Sequence, residues 1–490
     1  MTTDVLSVPS PAAAESPPPR HPRRWTGLLA ILAADLLNLL DSTVGAVAAP
    51  VIRAELGGSL ATLQWIAAGY TLAMTVGLLT GGRLGDMFGR KRMMTLGIAG
   101  FLITSMACAL AFSPETLIAA RVLQGAFAAV MIPQSFGLLR DLFGREVGKA
   151  FAVLGPVIGL ATILGPVVAG LLIEADLFGT GWRMIFLLNL PVGVFSLVVG
   201  WKVLPDGEPV ARGQRLDLGG ALLAGTGVLM LVHPLVQGHE LGWPAWSLAM
   251  LAASVPVLAV FTLHQLRRAR SGRAPLVDLS VLAKRSYTGG VAFAVLFYGA
   301  ITGFSLTVGL FLQLGLGYSP LEASLTMSVW AVGAFFGSAF GGATMNRLGR
   351  NVLHIGLALM GTGLAILYAV FSSAGTGLGA GDLAAPMAVF GLGMGMIFVP
   401  LFDIIVGDLE DREIGSASGL LSSFEQLGAS LGVAVLGTVY FGAVGPLPDL
   451  RDFLDAAALV ALLTAGITVL TFLIGFLLPR RARPGASETH

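Results

Sequence analysis

Between residues 26 and 478 the chain repeats one pattern: an apolar run of about twenty residues, then a short polar break. At about 1.5 Å of rise per residue, a helix of that length crosses the roughly 30 Å of hydrocarbon in a bilayer. Backbone polar groups in lipid must be satisfied within the protein, so runs of this kind read as transmembrane helices. Composition agrees: 55% of residues are hydrophobic and 12% are charged, against about a quarter charged in a soluble domain. The chain reads as an all-α polytopic membrane protein.

Fourteen transmembrane helices are predicted, over 26–50, 62–81, 93–112, 116–138, 148–172, 184–204, 216–236, 245–265, 287–311, 321–343, 352–371, 383–406, 415–441 and 453–478. Lys and Arg collect in cytoplasmic loops. With both termini cytoplasmic, 25 of the 29 Lys and Arg fall in or beside inner loops and tails. Only Arg53, Arg183 and Arg451 fall outside, and Arg121 sits alone in the middle of a span. That asymmetry sets the orientation in a plasma or inner membrane.

The two ends of the chain echo each other. "GRLGDMFGR" at 82–90 matches "GATMNRLGR" at 342–350, keeping Gly82 with Gly342, Gly89 with Gly349 and Arg90 with Arg350. "REVGKA" at 145–150 matches "REIGSA" at 412–417. The offset exceeds what six spans require, so spans seven and eight read as an insertion. The predicted order is a disordered cytoplasmic tail (1–24), a six-helix bundle (25–205), two inserted helices (206–266), a basic cytoplasmic linker (267–286), a second six-helix bundle (287–478) and a cytoplasmic tail (479–490). Repeated halves with a substrate site between them are a common transporter plan.

Charge inside these spans is the functional signal. A charged group at mid-bilayer costs about 2.5–3.5 kcal/mol on insertion scales, and such residues mark ion or proton pathways by default. The acidic ones are Asp35, Asp41, Asp403 and Glu425; the basic one is Arg121. Asp35, Asn38 and Asp41 are spaced i, i+3, i+6, one polar stripe on the first span. Low dielectric favours the neutral form of a carboxylate, so a group in that setting can load a proton from one side and lose it to the other. Asp35 lies nearer the inner end, where it can instead pair with a headgroup or Arg24. Asp403 and Glu425 have no cation in their own spans and are candidates for substrate contact or a second proton site.

Two glycine-rich stretches bear on movement. In "GGRLGDMFGRKR" (81–92), Gly82 and Gly89 permit a tight turn, and Asp86 sits among Arg83, Arg90, Lys91 and Arg92. A carboxylate within reach of guanidinium groups can latch helices together on the inner face, with Arg350 as its echo. In "LGPVIGLATILGPVVAGLL" (154–172), Gly155, Pro156, Gly165, Pro166 and Gly170 combine close approach with a weakened helical ladder, which suits a bend.

These stretches resemble the major facilitator superfamily, and more narrowly its fourteen-span drug:proton antiporter branch. The 81–92 segment resembles the superfamily's loop signature, and "LIAARVLQGAFAAV" (117–130) is similar to its fourth-span motif at Arg121, Gln124 and Gly125. The 154–172 segment resembles the antiporter motif, with Ala169 in place of a usual glycine. "LLDSTVGAVAAPVI" (39–52), "GWRMIFLLNLPVG" (181–193) and "LQLGLGYSPLEASL" (312–325) resemble the branch as well. The resemblance implies two six-helix bundles plus two inserted helices, multidrug efflux by alternating access, and a role for Arg121 in proton transfer.

Other classes find little support. Cys108 is the single cysteine, so there is no intrachain disulfide and no Cys-rich metal site. There is no G-x-x-x-x-G-K-[ST] for ATP, a net charge of +1 gives no case for nucleic acid, and six scattered histidines form no catalytic group. The expected partners are a small-molecule substrate, protons and the lipid bilayer, with no cofactor or metal, and the unit is expected to work as a monomer. The expected activity is proton-coupled export of a hydrophobic small molecule, cationic ones included. The alternatives are a dedicated exporter of one endogenous metabolite or antibiotic, and an importer.

Overall fold

Ser and Asp at several helix starts, and glycines at turns between helices, divide the chain into rods. A computed structural model describes residues 22–42, 47–207, 209, 216–273, 275–277, 279–375, 377–407, 409, 411–445 and 448–480. Among them every regular element is helical. These are α1 (Arg24–Ser42), α2 (Ala49–Leu56), α3 (Leu60–Phe88), α4 (Arg90–Ala109), α5 (Pro114–Phe143), α6 (Val147–Ala175), α7 (Arg183–Val203), α8 (Leu218–Gln237) and α9 (Ala245–Arg270). They continue as α10 (Leu279–Leu282), α11 (Arg285–Leu310), α12 (Pro320–Leu348), α13 (Asn351–Ser373), α14 (Ala380–Ile405), α15 (Asp411–Val444) and α16 (Leu450–Ile474).

Twelve helices among the described residues are long and apolar enough to cross a membrane. The predicted spans 26–50 and 148–172 fall on α1 with α2 and on α6, all helical but outside those twelve. Most of the two tails, residues 1–21 and 481–490, lies outside the described residues.

Local chemistry explains the ends. Ser113, Ser319 and Asp449 cap α5, α12 and α16, each side chain accepting a hydrogen bond from the first turn's free backbone N–H groups. At the other ends, Gly89 (φ +96°) closes α3 and its repeat partner Gly349 (φ +54°) closes α12. That region of φ is open to glycine at little steric cost, which is why the echoed motif keeps both.

The packing repeats as the sequence does. In the first half α3 packs on α5, α5 on α4, α4 on α7 and α7 on α1; in the second, α12 packs on α14, α14 on α13, α13 on α16 and α16 on α11. Two seams join the halves, α3 against α15 and α6 against α12. The inserted α8 and α9 pack on each other, and α8 lies against both α3 and α15, so the insertion backs one seam. At its base Asp217 caps α8, accepting from the Gly220 amide (3.0 Å) and from His264 Nε2 (2.9 Å) and Gln265 Nε2 (2.9 Å) of α9. Gln265 in turn accepts from the Leu276 amide (2.8 Å), which ties the linker to the hairpin.

Arg24 with Glu146, Arg90 with Asp141, Lys91 with Asp206 and the backbone of Arg350 with Arg480 gather on one face of the bundle, which therefore carries both ends of the described chain. The opposite face holds Arg183 with Glu55, and Arg451 against the Ala374 carbonyl. Bonds joining the halves lie towards this opposite face: Gln64 to the Val433 carbonyl, Thr71 with Ser430 (2.7 Å), Ser319 to Glu174 (2.9 Å) and Gln313 to the Val47 carbonyl (3.2 Å).

Candidate functional site

Asp41 points into the first half, fully buried, and forms an ion pair with Arg121, which is 1% exposed. The pair has a complete set of neighbours. Gln124 accepts from Arg121 (2.9 Å) and donates to Asp41 (3.0 Å), while Asn189 donates to Asp41 (3.3 Å) and to Ser105 (3.0 Å). Arg121 Nε donates to the Ile66 carbonyl (3.2 Å), and its guanidinium lies 4.5 Å from the Tyr70 ring centre. Four helices thus meet on one carboxylate: α1, α5, α7 and, through Tyr70 and Ile66, α3. A buried pair of this kind survives because each charge is both neutralised and hydrogen-bonded. Removing the negative charge, as a proton does, leaves Arg121 without its anion.

The rest of the first-span stripe is half-buried and paired with neutral groups. Asn38 accepts from Tyr70 Oη (2.6 Å), and Asp35 accepts from Ser135 Oγ (2.8 Å). Arg24 pairs with Glu146, so the pairing of Asp35 with Arg24 expected as one alternative is not made here. In the second half, Glu425 on α15 and Asp403 on α14 are half-buried and have no hydrogen-bond or ion-pair partner among the described residues. Glu425 lies within electrostatic reach of Tyr287 and Tyr298 on α11.

At the α3–α4 turn, Arg90 reaches both oxygens of Asp141 on α5 (3.3 Å) and lies 3.9 Å from Asp86. A methyl group on Gly137 would meet Arg90 Nε at 2.5 Å, so that glycine makes room for the guanidinium. Gly82 faces Pro133 loosely. The ionic link between helices therefore runs from Arg90 to Asp141, and Asp86 assists from its own helix. Arg350, despite the sequence echo, donates to the Phe476 (2.9 Å) and Leu478 (3.0 Å) carbonyls. It holds the carbonyls just past the end of α16, and the second half has Asn346 where the first has Asp86.

α6 runs as one helix from Val147 to Ala175. Gly165 is buried, Pro166 half-buried, and the side chains of Gly155 and Pro156 lie outside the described residues. Gly170 sits on the seam: a Cβ there would meet the Pro320 carbonyl and Ser324 Oγ at 2.7 Å. Its role in this structure is close approach between the halves.

Several members of the network were not singled out as site residues from sequence. Asn189, Ser105 and Ser135 are polar residues inside apolar runs, a signal that was present, while Asp141 looked like an ordinary loop charge. Of the aromatic residues in these helices, Tyr70 underlies Arg121, Phe304 is core, Phe136 is 52% exposed and Tyr298 is half-buried beside Glu425.

Residues 31–433 match the family described as Major Facilitator Superfamily. A probable actinorhodin transporter of Streptomyces coelicolor is 46% identical, over 89% of this chain and 76% of its own length. A tetracenomycin C resistance and export protein of Streptomyces glaucescens is 33% identical, over 92% of this chain and 82% of its own length. Among solved structures, a peptide transporter in complex with sulfate superposes with a TM-score of 0.66 at 14% identity, covering 93% of this chain and 95% of that one.

Proposed function

This chain belongs to the major facilitator superfamily, and we propose that it is a proton-coupled antiporter expelling a hydrophobic, antibiotic-like small molecule across the plasma or inner membrane. The observation that carries the proton coupling is the burial of Asp41 against Arg121 at the meeting of four helices. A proton arriving on Asp41 removes the anion that holds Arg121, loosening α1 from α5. Loss of the proton restores the pair. Asp35 and Asn38 extend the polar stripe from that pair towards the basic face and form the proton's path. Arg90 with Asp141, assisted by Asp86, is the latch remade as the halves rock, while Gly170 keeps the opposite face closed.

In this reading the chain crosses the membrane fourteen times with both termini in the cytoplasm, and the repeated packing supports the division into 25–205, 206–266, 267–286 and 287–478. The unit works as a monomeric carrier without chemical conversion of its cargo. Inward proton movement supplies about 2.3 kcal/mol per charge per 100 mV, enough for a concentration ratio of tens. A dedicated exporter of one endogenous compound is favoured over a general drug pump by the two relatives above, whose names each specify one antibiotic compound.

Uptake into inside-out vesicles of a panel of fluorescent aromatic compounds, polyketide antibiotics included, with and without an imposed pH gradient, tests the reading. Wild type is expected to accumulate at least one of them uphill only with the gradient, and Asp41→Asn to lose that response. Gradient-driven transport by Asp41→Asn equal to wild type would remove the coupling assignment.

A further inference from the structure

The inserted helix α9 has two unlike faces. Ser247, Ser254 and Gln265 are buried on the side packed against the bundle. On the opposite side Leu248, Val255, Val260 and Leu263 are each at least half exposed, an apolar strip for lipid to cover. Positions 260, 263, 267 and 270 follow helical steps of three and four, so the strip runs straight into Arg267 and Arg270, both exposed. Depth follows from length. Trp246, 43% exposed at the outer end, is the kind of residue that sits at headgroup level. Arg267 comes 21 residues later, about 31 Å along the helix, close to the thickness of the hydrocarbon. The two arginines therefore emerge at the inner headgroup layer, on the lipid side of the helix.

A third joins them. Gly272 (φ +70°) turns the chain, and the Arg273 amide donates to the Arg268 carbonyl (3.1 Å), which folds Arg273 back beside the last turn. Arg268 itself faces inward and is taken by Asp217 (3.4 Å). The side chains of Arg267, Arg270 and Arg273 have no hydrogen-bond or ion-pair partner among the described residues. Guanidinium groups at the rim of a lipid-facing strip suit a phosphate that carries acyl chains. We propose that this end of α9 docks an anionic phospholipid of the inner leaflet, its phosphate on Arg267 and Arg270, its headgroup beside Arg273 and its chains along Val260 and Leu263. The lipid then bears on the linker too, because Gln265 accepts from the Leu276 amide and Arg83 of α3 donates to the Pro275 carbonyl (3.2 Å). A headgroup held here fastens hairpin, linker and first half together at the inner face.

The test is thermal unfolding of the purified full-length protein in detergent, titrated with dioctanoyl phosphatidylglycerol, the matching phosphatidylcholine, or inorganic phosphate. Phosphatidylglycerol is expected to raise the unfolding temperature saturably, and the other two to do so several-fold less. Arg267→Gln with Arg270→Gln is expected to weaken the apparent phosphatidylglycerol affinity about tenfold or more, at about fivefold per arginine, and to leave unfolding without lipid unchanged. Lys202→Gln, which removes an exposed charge at the inner end of α7, is expected to change that affinity less than about twofold. Should the Gln pair prove unstable, Arg267→Lys with Arg270→Lys keeps the charge without the planar fork and is expected to bind several-fold more weakly than wild type. Wild-type affinity in the folded Gln pair, or in the Lys pair where that stands in for it, would overturn the proposal. So would an equal response to phosphatidylcholine or to phosphate alone. No transport is measured, so the outcome is independent of the antiport reading.

Discussion

The two halves share a plan of helices and treat their buried acids in opposite ways. In the first half Asp41 is enclosed: Arg121, Gln124 and Asn189 fill its hydrogen-bonding positions, and no part of it is exposed. In the second half Glu425 stands half-buried, within electrostatic reach of Tyr287 and Tyr298, with no hydrogen-bond or ion-pair partner among the described residues. The first arrangement neutralises a buried charge within the protein, whereas the second leaves a carboxylate without a partner among the described residues.

The largest expected effect comes from breaking the closed side of this comparison. Asp41→Ala leaves Arg121 buried and unpaired, which costs about 3–5 kcal/mol. Thermal unfolding in detergent should fall by many degrees and pH-driven efflux should vanish. Asp41→Asn, which keeps a hydrogen-bonding group, should lose efflux with a smaller fall in stability. If both variants unfold like wild type, the nest is not the keystone described.

The seam comes next. Gly170→Val pushes a side chain into Pro320 and Ser324, so the halves should part at the face opposite the termini. Cysteines placed at Glu174 and Ser319, in the Cys108→Ala background, should crosslink readily in the parent and several-fold less with Gly170→Val. Equal crosslinking would mean that α6 and α12 do not close there.

The mildest effect is expected at the inserted hairpin, which neither half uses for chemistry. Burial works against the charge of Asp217, but His264, the Gly220 amide, Gln265 and Arg268 hold its carboxyl below the ordinary carboxylate range. A lowered folded value means the stabilisation is present above the ordinary carboxylate range and is lost as pH falls through that lowered value. Asp217→Ala removes the cap and should cost about 0.5–2 kcal/mol at neutral pH, read as a modest fall in unfolding temperature. A larger drop would show that the linker attachment bears on the whole bundle.

How far this was legible in the sequence depends on the distance over which each feature is encoded. Helices declare themselves within twenty residues, so most spans and the glycine stops Gly89 and Gly349 could be read directly. Asp41 and Arg121 stood out because charge in an apolar run has no bland explanation, yet their pairing across α1 and α5 needed the fold. Asp141 was missed since a loop-end acid looks alike whether or not Arg90 reaches it. For Arg350 the echo showed the residue and not its surroundings: the guanidinium reaches the carbonyls just past α16. Gly170 was legible as a site of close approach, but the helix it approaches, α12, needed the fold.

The coupling of transport to the buried Asp41–Arg121 pair is tested most directly in proteoliposomes containing Asp41→Asn, with exchange of a transported compound in the absence of any gradient measured beside its accumulation driven by a pH gradient. The account predicts that driven accumulation is lost while exchange persists. Driven accumulation equal to that of wild type would contradict it.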